Sequence, residues 1–253
     1  MKLVDAEVIS NEPAYPGVNL LWLSSPALAQ DAHPGQFLML RTTDSIDPFL
    51  RRALSIHRIG EGAIGILYGG SGAGTDYLRR KQPGDTVNVL GPLGQGFTMH
   101  PNSRNLLLLG TGWGLGSLVA LAEQAVARDC AVTLLAGAPT AAQVLPGALV
   151  PAQAEMVVAT EDGTLGHKGL VTDLAERYWA WADEVYACGP LAMYQTLREK
   201  TRTLFPRKDV QVLAEMPMAC GVGACFGCTV ETSRGPVIAC REGPKVMLHH
   251  LCP

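Results

Sequence analysis

The sequence predicts a β plus α/β protein of two domains with a short C-terminal appendage. Three observations carry that expectation. Short apolar runs broken by Pro-Gly and Gly-x-Gly turns fill the first hundred residues, strand-length and helix-length patterns alternate from about Asn102, and four of the seven cysteines crowd between Cys220 and Cys240. A chain of 253 residues is about as long as single hydrophobic cores become before splitting. The 47% apolar content supplies core material, and 28 Gly and 17 Pro point to many turns rather than to a helical bundle.

The first domain, residues 1–100, rests on apolar runs at 19–23, 36–40, 54–59, 63–68 and 86–90. Turn signals at Pro16-Gly17, Pro34-Gly35, Gly60-Glu61-Gly62 and Pro83-Gly84 separate them. Short strands so punctuated build a small antiparallel barrel or sandwich, here interrupted by one helix near 75–81. The second domain, residues 101–213, opens with a buried-strand run at 105–109, a glycine-rich turn at 110–116 and a helix reaching Arg128. Strands at 131–136, 155–160, 184–187 and 209–213 then alternate with helices at 171–181 and 191–204. Such alternation predicts a doubly wound parallel sheet, with ligands beyond the carboxyl ends of its strands. The remainder, residues 214–253, is too short for its own core and needs a staple.

Twenty Lys and Arg against 23 Asp and Glu give a formal charge of −3, leaving no basic excess for nucleic acid or an anionic membrane. The longest apolar runs fall well short of the roughly 20 residues of a membrane helix. Asp5 and Glu7 stand where a secretory signal would carry its apolar centre. The expectation is a cytoplasmic protein that binds neither nucleic acid nor membrane.

Cys220, Cys225 and Cys228 are spaced C-x4-C-x2-C, with Cys240 downstream. In a reducing compartment clustered thiols more often bind metal than form disulfides, and this spacing is the plant-type [2Fe-2S] ligand pattern. Gly221, Gly223 and Gly227 let a loop wrap closely around such a cluster. A zinc site is the alternative; it favours two paired short chelates, and only Cys225 to Cys228 forms one.

A second group of residues suits a dinucleotide. Arg52-Ala53-Leu54-Ser55 opens a strand, Leu67-Tyr68-Gly69 closes the next, and Gly74-Thr75 sits at a helix start. The Arg52 guanidinium and the helix N–H groups suit a pyrophosphate, the Ser55 hydroxyl a ring nitrogen, and Tyr68 an apolar wall. In the α/β region Gly110-Thr111-Gly112 begins a strand–turn–helix unit that departs from G-x-G-x-x-G but can still receive a phosphate. Cys188-Gly189-Pro190 marks a second loop at the same sheet edge. No Lys or Arg occurs between Arg128 and Lys168, where a 2′-phosphate would need one, so NAD is preferred to NADP.

Together these features resemble the ferredoxin-reductase superfamily and, within it, the electron-transfer subunits of dihydroorotate dehydrogenase B. The segment from Glu215 to Cys228 with Cys240 carries most of the resemblance, aided by the stretches at 91–97 and 160–169. The resemblance implies an FAD-binding β-barrel, an NAD-binding α/β domain and a [2Fe-2S] segment. It places the flavin motif on Arg52 to Ser55, with Ala53 where proline is usual, and the next flavin strand on Leu67-Tyr68-Gly69, with Gly69 where arginine is usual. Gly74 and Thr75 fall on the family's phosphate contact, and Cys220, Cys225, Cys228 and Cys240 on its cluster ligands. It further implies a partner subunit that oxidises dihydroorotate on FMN, a heterotetramer with two copies of each chain, and electrons passed on to NAD for pyrimidine biosynthesis. Nicotinamide accepts a hydride and a cluster carries one electron, so a flavin stands between them; no catalytic acid or base is required. A reductase subunit serving a ferredoxin, sulfide or hydrogen partner fits the same domains. A non-catalytic module holding zinc is the alternative from another class. The tail from His249 to Pro253 matches no family feature, and its pair His249-His250 is expected to be solvated.

Overall fold

The protein is described by a computed structural model covering residues 1–205 and 208–252. Strands β1 (Lys2–Tyr15), β2 (Val18–Ser24), β3 (Phe37–Leu40), β4 (Arg52–Gly60), β5 (Ala63–Gly69) and β6 (Thr86–Leu93) close into an antiparallel barrel in the order β1-β2-β5-β4-β3-β6. Closure removes the free edges an open sheet would expose. Two short helices, α1 (Pro26–Asp31) and α2 (Ala73–Arg79), cover the barrel, and Leu21, Leu23, Leu38, Leu40, Ile56, Ile64 and Ile66 fill it. Strand β1 has no counterpart among the apolar runs read from the sequence. It alternates apolar and charged residues and contains Pro13, yet it pairs with both β2 and β6. Register shifts between Val8 and Ser10 and between Pro13 and Tyr15 bend it around the barrel wall.

The α/β region contains β7 (Asn105–Thr111), α3 (Trp113–Val126), β8 (Ala131–Ala138), β9 (Glu155–Thr160), β10 (His167–Lys168), α4 (Val171–Trp179), β11 (Glu184–Cys188), α5 (Leu191–Thr203) and β12 (Val210–Leu213). All these strands run parallel, in the order β10-β9-β8-β7-β11-β12. Helix α3 packs on one face, α4 and α5 on the other, so strands such as Leu106–Leu109 are apolar on both sides. The chain reverses its winding between β7 and β11, and the crevice at such a switch point is where ligands bind.

The C-terminal segment contributes β13 (Thr229–Val230), β14 (Val237–Ile238) and β15 (Lys245–Met247). Strands β13 and β14 form a hairpin of their own, whereas β15 joins the large sheet antiparallel to β12. Val230, Ile238, Ala239, Val246, Leu248 and Leu251 continue the hydrophobic core beneath α5. The segment is therefore held by packing as well as by its cysteines. The tail is likewise anchored, although His249 stays exposed and His250 partly so, as expected of the pair. Leu251 is buried and its carbonyl accepts from Arg198 Nη1 at 2.7 Å, while His249 and His250 meet edge to face; Pro253 lies outside the described residues.

Candidate functional site

A cavity of about 290 Å³ lies where the three parts of the chain meet. The barrel contributes Ala53, Leu54, Ser55 and His57 from β4 and Leu67, Tyr68 and Gly69 from β5; helix α3 contributes Trp113, Gly116 and Ser117; the C-terminal segment contributes Met216, Met218 and Pro244. Strand alternation explains Ala53 and Ser55, which pair with Met39 and Phe37 on the face turned away from the barrel core. Tyr68 is a wall rather than a donor: its ring is buried and its hydroxyl donates to Asn11 Oδ1 at 2.9 Å.

Arg52, Gly74 and Thr75 lie beside this cavity, outside its lining. A Cβ on Gly74 would stand 2.8 Å from Arg52 Nε and 3.0 Å from Thr42 Oγ1, so the bare glycine keeps the guanidinium against the helix start. Thr75 Oγ1 donates to the Gly72 carbonyl at 2.9 Å, and Arg52 Nη1 to Leu50 O at 2.7 Å. Gly69 also has a local reason. A Cβ there would fall 2.3 Å from Cη2 of Trp113, so the indole occupies the place of a side chain at 69. The departure from arginine and the tryptophan in the glycine turn are thus one packing arrangement.

A second cavity, of about 490 Å³, opens at the switch point. Thr111, Gly112, Gly189 and Pro190 line it as the sequence predicts, together with Trp113, Pro139, Glu161, Val171 and Thr172. Gly110 and Cys188 are buried just behind it. Gly114 sets the spacing of its two loops: a Cβ there would come within 2.4 Å of Cys188 O and 2.8 Å of Gly189 N. Trp113 and Glu215 line both cavities, and neither was singled out from the sequence. The signals were there, an aromatic residue inside a glycine turn and a lone carboxylate before a long uncharged run. Glu215 opens into the cavities, yet their walls strip enough water from it to push its carboxyl pKa up; a hydrogen bond from Cys188 Sγ to Oε1 at 3.5 Å opposes this. Burial likewise pushes the Cys188 thiol well above its ordinary value, reinforced by Glu215. Cys188 is therefore a neutral donor, not a thiolate nucleophile.

Buried polar groups are ordinarily paired. Among the described residues, His57 Nε2 and Thr172 Oγ1 on the cavity walls, and Thr42 Oγ1 beside Gly74, have no partner. These walls carry unmet hydrogen-bonding capacity of the kind a polar cofactor meets, and in this respect the residues fit a flavin and a nucleotide.

His57 also ties the barrel to α3, because its Nδ1 lies 2.8 Å from Gly116 O, and a carbonyl can only accept. Burial lowers its pKa to about 4, against the partial compensation of that bond. An unfolded chain binds the proton near pH 6.5 and the folded one only near 4, so this part of the stability is intact above pH 6.5 and is lost as pH falls towards 4. Denaturant titrations at pH 7 and pH 5 should show about 2 kcal/mol of acid loss in the native protein that His57→Gln lacks. Equal losses in the two proteins would remove His57 as the cause.

The four cysteines of the C-terminal segment come together from a loop and a turn. Cys225 is exposed and Cys220 half-buried, while Cys228 and Cys240 are 2% exposed. Backbone N–H groups aim at the sulfurs: Gly223 N lies 3.1 Å from Cys240 Sγ, Ala224 N 3.4 Å from Cys220 Sγ and Cys240 N 3.4 Å from Cys228 Sγ. Burial acts to raise the Cys220 thiol, but the N–H groups of Val222, Cys225 and Ala224 outweigh it and hold it down at about 6. Cys240 is pushed up to about 12, first by burial and then by Cys228 beside it. The Cys220 side chain interacts with that of Cys225 and the Cys240 side chain with those of Cys228 and Cys220, so the four thiols share one neighbourhood. Four thiols bathed in N–H dipoles fit the ligand set of a [2Fe-2S] cluster. The loop packs on the barrel, since a Cβ on Gly221 would lie 2.6 Å from Met39 Cγ.

The family described as the iron-sulfur cluster binding domain of dihydroorotate dehydrogenase B matches residues 215–252. Among curated proteins, the chain is 36% identical to the dihydroorotate dehydrogenase B (NAD(+)) electron transfer subunit of Desulforamulus reducens, covering 96% of this chain and 95% of that protein. It is 41% identical to the subunit of the same name from Bacillus caldolyticus, covering 88% of each. Among solved structures, an NADH-dependent reduced ferredoxin-NADP oxidoreductase superposes with a TM-score of 0.86 at 26% identity, over 98% of this chain and 90% of that one. The ferredoxin reductase of carbazole 1,9a-dioxygenase, at 21% identity, shares the fold with a TM-score of 0.67 over 81% of this chain and 67% of its own. With relatives this similar along nearly its whole length, the chain belongs to the family of dihydroorotate dehydrogenase B (NAD(+)) electron transfer subunits.

Proposed function

We propose that this chain carries electrons between an FMN-containing dihydroorotate dehydrogenase subunit and NAD, in the cytoplasm, as a heterotetramer with two copies of each chain. One observation carries the reading: a single cavity walled by the barrel, by α3 and by the cysteine segment, with Trp113 and Glu215 shared with the nucleotide cavity. Residues 1–100, 101–213 and 214–253 serve as the flavin, nucleotide and cluster parts. In this reading Ser55, Leu54, Ala53, Leu67, Tyr68 and Gly69 hold the flavin ring, and Arg52, Gly74 and Thr75 its pyrophosphate. Gly110, Thr111, Gly112, Cys188, Gly189 and Pro190 receive the nicotinamide nucleotide, and Cys220, Cys225, Cys228 and Cys240 ligate a [2Fe-2S] cluster.

When bound, a flavin supplies the exchange between hydride pairs and single electrons that neither nicotinamide nor a cluster supplies alone. The chain's own residues position and exclude. Leu54, Leu67, Met218 and the Trp113 ring keep the flavin cavity largely apolar. Buried Cys188 and the open Glu215 present a hydrogen-bonding pair at the rim of the nucleotide cavity. Glu161, just past the carboxyl end of β9, adds a carboxylate to a nucleotide cavity that, among the described residues, no Lys or Arg lines, which supports NAD over its 2′-phosphorylated counterpart.

The test is reconstitution. Purified chain mixed with the FMN-containing subunit from the same source should reduce NAD when given dihydroorotate, and neither chain alone should couple the two. Heat denaturation of the isolated chain should release FAD. Release of FMN instead, or ferredoxin-dependent but not dihydroorotate-dependent turnover, would overturn the reading.

A further inference from the structure

The loop that wraps the cysteines carries an unusual residue. Phe226, between Cys225 and Cys228, is held at a φ of 58°, with its side chain out in solvent at 62% exposure. Among the described residues Asp129 is the one other non-glycine residue with positive φ, and aspartate tolerates this region, whereas a bulky aromatic is an outlier there. The conformation itself has a local use. The Phe226 carbonyl accepts from Thr229 N at 3.2 Å and from Thr229 Oγ1 at 2.7 Å, closing the turn that runs from Cys225 through Cys228. A glycine would make that turn without strain, so the turn explains the φ but not the phenyl ring.

The surroundings suggest what the ring is for. No charged side chain occurs between Glu215 and Glu231, in a chain that is 17% charged. Met216 and Val222, also on this run, are 38% and 42% exposed, and Cys225 is the exposed member of the ligand set. Charge depletion with an exposed aromatic and methionine is the composition of the centre of a protein interface. An electron entering the cluster from the FMN-containing subunit needs that partner at the surface the sulfurs approach, and Cys225 marks that surface.

We propose that Phe226 is the aromatic anchor by which this chain docks on its FMN-containing partner, the strained residue being retained because its ring is buried only in the complex. The inference rests on the electron-transfer reading above and adds the residue and the surface to it. Anchors of this kind carry a disproportionate share of binding free energy and are enriched in large aromatic side chains near the middle of an interface.

The experiment compares cluster-loaded wild type, Phe226→Ala, Phe226→Gly and Phe226→Tyr. Each is titrated with the FMN-containing subunit by sedimentation, with the visible spectrum and iron content checked first. The alanine and glycine variants should keep their cluster and bind about 30-fold or more weakly, the factor that corresponds to loss of a hot-spot residue. Tyrosine should bind within a few-fold of wild type. The isolated glycine variant should melt at a higher temperature than the isolated alanine variant, since it alone relieves the φ. Alanine binding within threefold of wild type overturns the inference while leaving the electron-transfer reading intact. Loss of iron from the alanine variant, or a lower melting point for glycine than for alanine, also overturns it, because the ring or the φ would then serve the loop itself. Failure of wild type to bind the FMN subunit overturns both.

Discussion

Cys225→Ser should lower the iron content of anaerobically purified protein from about two irons and two sulfides per chain, as the cluster type requires, to near zero. The visible absorption of the cluster should go with it, leaving that of the flavin. Cys225 is the exposed thiol of the four, and its side chain interacts with that of Cys220, so the substitution removes one sulfur and the thiol neighbour of another. The structural damage should be local. Metal binding free energy is folding free energy only for parts that have no other support, and β15 is paired with β12 while Val246, Leu248 and Leu251 are buried in the shared core. Hydrogen exchange should therefore quicken at residues 216–228 and stay slow at Lys245–Met247. One bound zinc and no iron in the native protein would refute the cluster assignment. Unfolding of β15 in the variant would show that the cluster, not the sheet, holds the segment.

Gly114→Ala should be the most damaging methyl group among the glycines lining the nucleotide cavity. The new Cβ would meet Cys188 O at 2.4 Å and Cys188 C at 2.5 Å, both backbone atoms that no rotamer change can move. The start of α3 and the 188–190 loop must separate, opening the crevice whose walls they form. Overpacking of this kind costs about 1–3 kcal/mol of stability. A near-attack geometry is sensitive to displacements of about 1 Å, with losses on the order of 100-fold, so NADH-dependent flavin reduction should fall by about that factor while FAD and iron content remain. Gly112→Ala is the informative contrast. No atom lies within 4 Å of a Cβ there, but the φ is 54°, so it should cost stability through the backbone alone. If Gly114→Ala reduces its flavin as fast as the native protein, the contact between α3 and the Cys188 loop does not position the nucleotide.

Much of the architecture was written in local pattern. Two-residue periodicity with Pro-Gly turns marked β2, β4 and β5, and doubly apolar runs marked β7 and β8, because burial on one or both faces of a strand leaves a direct imprint on composition. In strand β1 the imprint is brief: Val4, Ala6 and Val8 alternate with Asp5 and Glu7, and the period then fades into a polar stretch containing Pro13. The last strand, β15, was invisible for another reason: three residues carry no period, and only the free edge of β12 selects them.

The site divides in the same way. By itself the sequence pointed to the four clustered cysteines as a ligand set, since metal ligands must recur at spacings that a short loop can close, and it determined the strand–turn–helix loops at 110–116 and 188–190, since their glycines answer to backbone geometry. Only the tertiary structure decided that Trp113 fills the space over Gly69, that Glu215 stands between two cavities with Cys188 as its donor, and that His57 reaches Gly116 from the other domain. Those contacts join residues tens of positions apart. Their physics is close packing and desolvation at a meeting of three chain segments, and neither leaves a period or a spacing in any one of them.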